Sequence, residues 1–190
     1  LRALYAWRED IDQQRFVEAV AQGMAYLLKT QREDGAWLPL WFGNQDEPDE
    51  VNPVYGTSKV LFAMAALRSF DAGSAGASPS QSEREQALLR GVQWLVARQN
   101  PDGGWGGSVV PLEQSKPKNA NQATRISSVE ETALAVEALL CVFAGQITHE
   151  GIVYAGEEPD TEITAAIRRG LGWLASAVEE NRHAEPSPIG

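Results

Sequence analysis

Apolar residues recur with a helical period in two stretches that superpose when the sequence is shifted by 68 positions. The superposed pairs are Val20 and Leu88, Gly23 and Gly91, Met24 and Val92, and Leu27 and Leu95. Within each stretch the apolar positions fall at i, i+4, i+7 and i+8, which is one stripe of an α-helix. The pattern therefore predicts two equivalent amphipathic helices.

Each predicted helix ends in the same short frame, "TQREDGAW" at residues 30–37 and "RQNPDGGW" at residues 98–105. Glutamine occupies the last turn, and Asp-Gly supplies the tight turn that stops the helix. A third helix follows 79 positions later with Gly170 and Trp173 in register. There Val178 replaces the glutamine and the Gly-Trp ending is absent, so the third copy is degenerate.

A second helix is predicted after each frame, in "YGTSKVLFAMAAL" and in "SSVEETALAVEALL". These two helices align when Thr57 is placed on Thr132. Ser128 and Glu131 form an S-x-x-E capping box at the start of the second of them. Ser82 and Glu85 predict the same device at the start of the middle helix of the first type.

The repeating unit is therefore helix, Gln-to-Trp turn, loop and helix. The predicted units cover approximately residues 11–70 and 82–145, with an incomplete unit at 160–190. No segment reads as a β-strand, since "GIVYAG" is too short and isolated to form a sheet. The predicted fold class is all-α, built from helix-hairpin repeats within one partial domain over residues 1–190.

The frame itself predicts a structural clamp between adjacent units. Helix ends leave backbone groups unpaired, a glutamine amide both donates and accepts, and an indole is a large apolar plate with one donor. The predicted clamp residues are Gln31, Gly35, Trp37, Gln99, Gly103 and Trp105. Chemistry by Gln31 or Asp34 is disfavoured, because an enzyme needs one active site and the frame occurs twice. Asp34 and Asp102 are interpreted as turn residues.

Composition excludes several classes of function. The 190 residues carry a net charge of −10 with scattered basic residues, which disfavours a nucleic-acid partner. The one cysteine, Cys141, excludes an internal disulfide and lies in an apolar run typical of a core thiol. No apolar run approaches the roughly 20 residues that span a bilayer, and no signal peptide is present, so a soluble chain is expected.

The spacing Q-x3-G-x-W after a helix resembles the repeat motif of triterpene cyclases, the squalene–hopene and oxidosqualene cyclases. "GVQWLVARQNPDGGWG" and "DGAWLPLWFGN…NPVYGT" look like the bacterial squalene–hopene forms. The resemblance covers about residues 15–180 and the C-terminal portion of such enzymes. It implies part of an (α/α) toroid, an apolar cavity for a squalene-like polyprenoid, and peripheral attachment to the cytoplasmic side of a membrane. No cofactor or metal is implied.

The resemblance also implies which residues face the substrate. Polyene cyclisation carries positive charge through a folded hydrocarbon, and aromatic faces stabilise such charge. Trp41 and Tyr55 match aromatic positions that line the family's cavity, and Phe42 is a weaker candidate. The alternatives are loop packing for Trp41 and packing on the preceding unit for Tyr55. The segment between Trp41 and Tyr55 is longer and more acidic than its family counterpart.

The catalytic acid of the family is a D-x-D-D motif, and this sequence contains none. Its one dense acidic cluster, "DEPDE" at residues 46–50, is typical of a solvated surface loop. No catalytic residue is therefore assigned, and the isolated chain is predicted not to cyclise squalene. The parent protein is expected to be an isomerase.

Two other enzyme classes and a non-catalytic module are alternative interpretations of the same residues. Protein prenyltransferase β-subunits share a distant repeat and bind zinc, but Cys141, His149 and His183 lack ligand spacing, so no metal site is predicted. Glycan-active toroids need paired carboxylates across a cleft, and the acidic residues here read as caps and surface. A non-catalytic helical-repeat module that binds a hydrophobic ligand or partner remains the alternative function. A D-x-D-D motif in the full reading frame would favour the cyclase, and its absence the binding module.

Overall fold

A computed structural model describes residues 1–41, 43, 51–68, 79–109, 125–144, 147–148, 151–152 and 162–184. Helices dominate these ranges, and two short 3-10 turns lie at Arg8–Asp10 and Arg182–Ala184. The α-helices are α1 (Arg2–Ala6), α2 (Gln13–Thr30), α3 (Pro53–Ala66), α4 (Gln81–Ala97), α5 (Val129–Ala144) and α6 (Glu162–Glu179). The all-α class predicted from the sequence is confirmed.

The starts of α2 and α3 follow from their capping residues. The Asp12 carboxylate accepts the Arg15 backbone N–H at 3.0 Å. The Asn52 side-chain oxygen accepts the Tyr55 backbone N–H at 3.1 Å. Pro53 occupies the first helical position, where its missing N–H costs nothing because that group has no intrahelical partner.

The start of α4 corrects a sequence prediction. Its capping box uses Ser80 and Glu83, not Ser82 and Glu85. The Ser80 hydroxyl accepts the Glu83 N–H at 3.2 Å, and the Glu83 carboxylate accepts the Ser80 N–H at 2.8 Å. The Ser80 hydroxyl also donates to the Glu83 carboxylate at 2.7 Å, and this bond, together with the one from the Ser80 N–H, lowers the pKa of the Glu83 carboxyl. The stretch "SQSERE" contains the S-x-x-E spacing twice, and the helix begins at the earlier copy. At α5 the predicted Ser128 cap is present, since its hydroxyl accepts the Glu131 N–H at 3.1 Å.

Helices α3 and α5 form the most extensive helix pair in the described part of the chain. Helix α4 packs against α3 and helix α6 against α5, while α2, α4 and α6 contact one another in sequence order. Arg68, just after α3, donates to the Val142 carbonyl near the end of α5 at 3.2 Å and pairs with Glu85 of α4 at 2.5 Å. The C-terminal ends of α3 and α5 therefore lie together. The result is an inner pair, α3 and α5, flanked by an outer row.

Two short antiparallel ladders correct the prediction that no strand forms. Strands β1 (Ser108–Val109) and β2 (Arg125–Ile126) pair, as do β3 (Ile147–Thr148) and β4 (Gly151–Ile152). The last of these falls within the "GIVYAG" segment. Each strand has two residues, which is too short to produce an alternating pattern in the sequence. The ladders tie loops together and leave the fold class unchanged.

Cys141 is buried on α5 with 7% of its surface exposed. Burial, reinforced by the nearby Glu137 carboxylate, raises the pKa of the Cys141 thiol to about 12. A raised pKa keeps the group as an unreactive thiol at neutral pH.

We therefore expect iodoacetamide at pH 8 to leave Cys141 unlabelled in the native chain and to label it fully in denaturant. Rapid labelling of the native chain, followed by mass spectrometry, would contradict this placement.

Candidate functional site

The first Gln-to-Trp frame joins the end of α2 to α4 through one side-chain amide. The Gln31 Nε2 group donates to the carbonyl oxygens of Gly35 at 2.9 Å and Ala87 at 2.8 Å. The Arg90 guanidinium donates to Gln31 Oε1. Ala87 and Arg90 both belong to α4. The amide nitrogen and the amide oxygen of Gln31 are therefore both hydrogen-bonded to that helix. We call this set of contacts, with the tryptophan described next, the first corner.

Trp37 completes the first corner and is 2% exposed. Its indole Nε1 donates to the Leu27 carbonyl of α2 at 2.7 Å, and its backbone N–H donates to Thr57 Oγ1 of α3 at 3.0 Å. The ring lies against Gly91 of α4, where an added Cβ would be 2.7 Å from ring atom Cζ3. One residue therefore contacts three helices.

The second frame makes the same bonds one unit further along, and we call it the second corner. Gln99 Nε2 donates to the Gly103 and Ala166 carbonyl oxygens, both at 2.8 Å. The Arg169 Nε group donates to Gln99 Oε1 at 2.8 Å. Ala166 and Arg169 lie on α6, at the positions that correspond to those contacted on α4. Residues 98–105 therefore fold as residues 30–37 do.

Trp105 repeats the contacts of Trp37 and is fully buried. Its Nε1 donates to the Leu95 carbonyl at 2.8 Å, and its backbone N–H donates to Thr132 Oγ1 at 2.9 Å. An added Cβ on Gly170 would lie 2.7 Å from its ring. Thr57 and Thr132, which accept the backbone N–H groups of the two tryptophans, are the residues that align between the two repeats.

Glycine is required at the turn of each corner. Gly35 and Gly103 both have φ +95°, a backbone conformation that other residues rarely adopt. The Asp34 carboxylate accepts the Ala36 N–H at 3.1 Å, and the Asp102 carboxylate accepts the Gly104 N–H at 3.0 Å. Both aspartates therefore act as turn residues here.

Arg90 and Arg169 are partners of the corners that the sequence analysis missed. Both are exposed on their helices and look like ordinary solvated positions. Their position in the repeat could have identified them. Each arginine immediately precedes a glycine, Gly91 or Gly170, that aligns between the repeats. The planar guanidinium suits an amide oxygen at a helix surface.

The second corner carries an additional polar link. Asp102 accepts the Ser127 hydroxyl at 2.7 Å through Oδ1 and the Trp173 indole N–H at 3.0 Å through Oδ2. The Asn100 side-chain amide donates to the same Ser127 hydroxyl at 3.0 Å. This network joins α6 to the Asp-Gly turn of the second corner. In the first corner the matching Asp34 instead pairs with Arg32 at 3.4 Å.

The third copy forms no corner within the described residues. Helix α6 continues through Val178 to Glu179, and Val178 is 61% exposed. The chain then turns at Asn181, which has φ +59°. Val178, which occupies the position of the missing glutamine, therefore lies within α6 and not in a turn that ends the helix.

The candidate cavity residues lie at the start of the connection after Trp37 and on α3. Trp41 is 85% exposed and follows Leu40, which is 72% exposed. Tyr55 is partly buried in the first turn of α3, and Lys59 Nζ lies 5.5 Å from its ring centroid. Phe42 and the acidic cluster at 46–50 lie outside the described residues.

Neither a metal cluster nor a membrane span occurs in the ranges that the structure describes. No group of three or more His, Cys, Asp or Glu side chains there could hold a metal ion. Cys141 is buried, His183 is exposed in the last 3-10 turn, and His149 lies outside those ranges. None of the described helices combines the length and the apolar character needed to cross a membrane.

Replacing Gln31 by glutamate tests the amide directly. The change keeps the shape but removes the donor that serves two carbonyl oxygens, leaving an acceptor against acceptors. We expect a loss of about 2–3 kcal/mol in the free energy of unfolding, partly offset by the Arg90 guanidinium. Urea denaturation of the Gln31→Glu and Gln86→Glu variants measures it, since Gln86 is exposed on α4. Equal effects of the two changes would contradict the clamp.

A family profile described as the squalene-hopene cyclase C-terminal domain matches residues 7–161. The chain is 30% identical over 164 residues to a probable squalene–hopene cyclase of Sinorhizobium fredii, covering 86% of this chain and 19% of that protein. It is 32% identical over 177 residues to a squalene hopane cyclase of Aspergillus fumigatus, covering 90% of this chain and 21% of that one.

A third relative is a terpene cyclase–glycosyl transferase fusion protein of Humicola fuscoatra, 29% identical over 174 residues. The match covers 90% of this chain and 10% of the fusion protein. The chain therefore spans about a fifth or less of the length of these curated relatives. No solved structure matches it at a significant level.

Proposed function

Because the chain belongs to the squalene–hopene cyclase family and corresponds to its C-terminal domain, we propose that it forms part of an enzyme that cyclises a squalene-like polyprenoid. The observation that carries the proposal is the pair of corners, which have the same bonds in two successive units. Such corners suit a ring of helices around an enclosed apolar space. The twofold occurrence argues for a supporting role and against catalysis by the corners.

The proposed reaction begins when an acid protonates a terminal alkene or epoxide. Positive charge then passes along the folded chain as rings close, and the last carbocation loses a proton, either directly or after it has captured water. The reaction is an intramolecular isomerisation or hydration and needs no redox group. What the protein must supply is a dry apolar wall, an acid, and electron-rich faces near the moving charge.

We assign Trp41, Tyr55 and Phe42 to that wall. The link between the corner and the wall is short, because Trp37 bonds to Thr57 only two residues beyond Tyr55. Asn52 holds the Tyr55 N–H from the other side. The first corner therefore fixes the first turn of α3, which carries the candidate aromatic ring.

The acid is proposed to come from a part of the protein outside this sequence, since no D-x-D-D motif occurs in it. The 190-residue chain alone is accordingly expected to be inactive. The whole protein is proposed to lie on the cytoplasmic face of a membrane, from which a polyprenoid could enter directly. Neither nucleic acid nor a metal has a part in this scheme.

The test is an incubation of the full-length protein and of this chain with squalene and with its 2,3-epoxide, followed by mass spectrometry of the extracted lipids. Cyclised product is expected from the full-length protein alone. Product from the isolated chain would refute the assignment of the acid, and no product from either would refute the proposed reaction.

Trp41→Ala in the full-length protein is expected to change the product spectrum or lower the turnover of squalene by about tenfold or more, while leaving the melting temperature unchanged. Because Trp41 is exposed, its side chain contributes little to stability, and we expect its removal to affect only the reaction. Trp7→Ala is the matched control, since Trp7 is 65% exposed and belongs to no corner. An unaltered product profile for Trp41→Ala would remove that residue from the wall.

The second candidate function is a binding module for a hydrophobic ligand or partner. Its support is the exposure of Leu40 and Trp41, which are adjacent and apolar. The same incubation separates the two, because a binding module would retain squalene unchanged. Recovery of tightly bound, unreacted squalene from the full-length protein would favour it.

A further inference from the structure

Each corner is received by three positions on the next helix of the outer row. On α4 the Gln31 amide donates to the Ala87 carbonyl, and the Arg90 guanidinium donates to the Gln31 oxygen. The glycine that follows, Gly91, lies against the Trp37 ring. We call such a set a socket: an alanine carbonyl, a hydrogen-bond donor three residues later and a glycine four residues later.

Helix α6 has a socket of the same kind. Ala166, Arg169 and Gly170 form it, and it receives the second corner. Ala87 and Ala166 are both 0% exposed, and the glycines Gly91 and Gly170 are also buried. A filled socket therefore has a buried alanine and a buried glycine.

Helix α2 carries a third socket. The shift of 68 positions that superposes the two frames places Ala19, Gln22 and Gly23 on the three socket positions of α4. Ala19 and Gly23 are only partly buried, and Gln22 is exposed. The two corners in the described part of the chain are bound to α4 and α6, so neither of them covers this socket.

One side of Gly23 is covered by the Leu1 side chain, since an added Cβ would lie 2.6 Å from Leu1 Cδ2. The same aliphatic contact occurs in the filled sockets, with Leu61 in the α4 socket and Val136 in the α6 socket. In those sockets the glycine contacts an indole ring in addition. Leu1 therefore takes the aliphatic place and not that of the indole, and Gly23 keeps part of its surface exposed.

We infer that the α2 socket binds a further Gln–Trp corner, from a helical unit outside these 190 residues. One corner joins each step of the outer row, from α2 to α4 and from α4 to α6, and the α2 socket continues this interface beyond α2. The occupant is defined by its chemistry, a glutamine amide that donates to the Ala19 carbonyl and an indole that covers Gly23. The inference goes beyond the proposed reaction and does not rest on it, because packing between units needs no substrate.

The α2 socket differs from the other two in charge. Arg90 and Arg169 both donate a guanidinium N–H to a glutamine oxygen, whereas α2 has Gln22 at this position. An amide N–H can make the same bond, but a charge-assisted hydrogen bond is roughly twice as strong as a neutral one. The joint at α2 is therefore weaker than those at α4 and α6, and an arginine at position 22 should strengthen it.

Photo-cross-linking of the full-length protein tests the occupant. The photoreactive residue p-benzoylphenylalanine replaces Gln22, and mass spectrometry identifies the cross-linked peptides. We expect a peptide that has the spacing Q-x3-G-x-W and lies outside residues 1–190. The same probe at Arg90 should give residues 30–37. At Gln14, which is exposed eight positions away on α2, it should give no such peptide.

The other results would overturn the inference. A cross-link from position 22 to a segment without this spacing would do so, as would no cross-link while position 90 reacts. A cross-link to residues 30–37 or 98–105 of a second molecule would show that the occupant is another copy of this chain. Absence of cyclised product from the full-length protein would refute the proposed function and leave this inference standing.

Gln22→Arg tests the strength of the joint. In the full-length protein we expect the melting temperature to rise by roughly 1–3 °C, because a guanidinium replaces an amide at the glutamine oxygen. In the 190-residue chain it should stay unchanged. Gln14→Arg adds the same charge to α2 and should have no effect in either protein. No gain in the full-length protein, or an equal gain in both, would overturn the pairing of Gln22 with a corner.

Discussion

Trp105→Ala is expected to lower the free energy of unfolding by about 3–5 kcal/mol, the range for removing a fully buried tryptophan. The indole is 0% exposed and packs on Gly170 of α6. Its removal opens a cavity that the glycine cannot fill. It also removes the 2.8 Å hydrogen bond that the indole N–H donates to the Leu95 carbonyl. The cavity and the lost hydrogen bond act in the same direction.

The measurement is urea denaturation of the 190-residue chain, followed by far-ultraviolet circular dichroism. Trp7→Ala removes an indole that is 65% exposed and should cost less than about 1 kcal/mol. Trp37→Ala should resemble Trp105→Ala, since Trp37 makes the matching contacts. Similar losses for Trp7→Ala and Trp105→Ala would contradict the importance of the corners for stability.

Gly35→Ala is expected to destabilise the chain through the backbone. A residue with φ +95° is strained by about 1–3 kcal/mol when it carries a Cβ. Here the added Cβ would also lie 2.7 Å from the Arg90 carbonyl oxygen of α4. The first corner would have to separate from α4, so the loss should exceed the strain alone. Urea denaturation measures this loss also.

Gly103→Ala is the internal comparison, because Gly103 has the same φ but its added Cβ would lie 3.1 Å from the Arg169 carbonyl oxygen. Its loss should therefore be smaller than that of Gly35→Ala. Gly172→Ala on α6 is the control, since no heavy atom lies within 4 Å of the added Cβ. It should be neutral or stabilising. A reversed order of the first two would refute the clash argument.

The helices were predictable because long amphipathic stripes and turn residues occur in register in the sequence. The family was predictable for the same reason, since two frames with identical spacing are more specific than one. The close pairing of α3 with α5 was not predictable, because it joins segments separated by a complete helix and two connections. Hydrophobic periodicity shows which face of a helix is buried, but it does not show which other helix packs against that face.

The site was predictable only in part. The sequence analysis identified Gln31 and Trp37 as candidates for the corner from their chemistry, and the role of these residues stays a proposal that the variants test. Arg90 was missed, since an exposed arginine on a helix has no pattern to distinguish it from a solvated one. The capping box of α4 was misplaced by two residues because "SQSERE" offers the same spacing twice. Local sequence cannot choose between two such copies, and in the folded chain Glu85 of the second copy pairs with Arg68 instead.

The distance along the chain between a corner and its acceptor differs between the units. Gln31 and Ala87 are 56 positions apart, whereas Gln99 and Ala166 are 67 apart, yet the bonds that they make are alike. Insertions and deletions between the two anchor points are therefore tolerated as long as both anchors survive. A gene duplication that copies one complete unit would bring its own anchors with it. The connections between the anchors are therefore free to diverge in length and sequence while the corners stay the same.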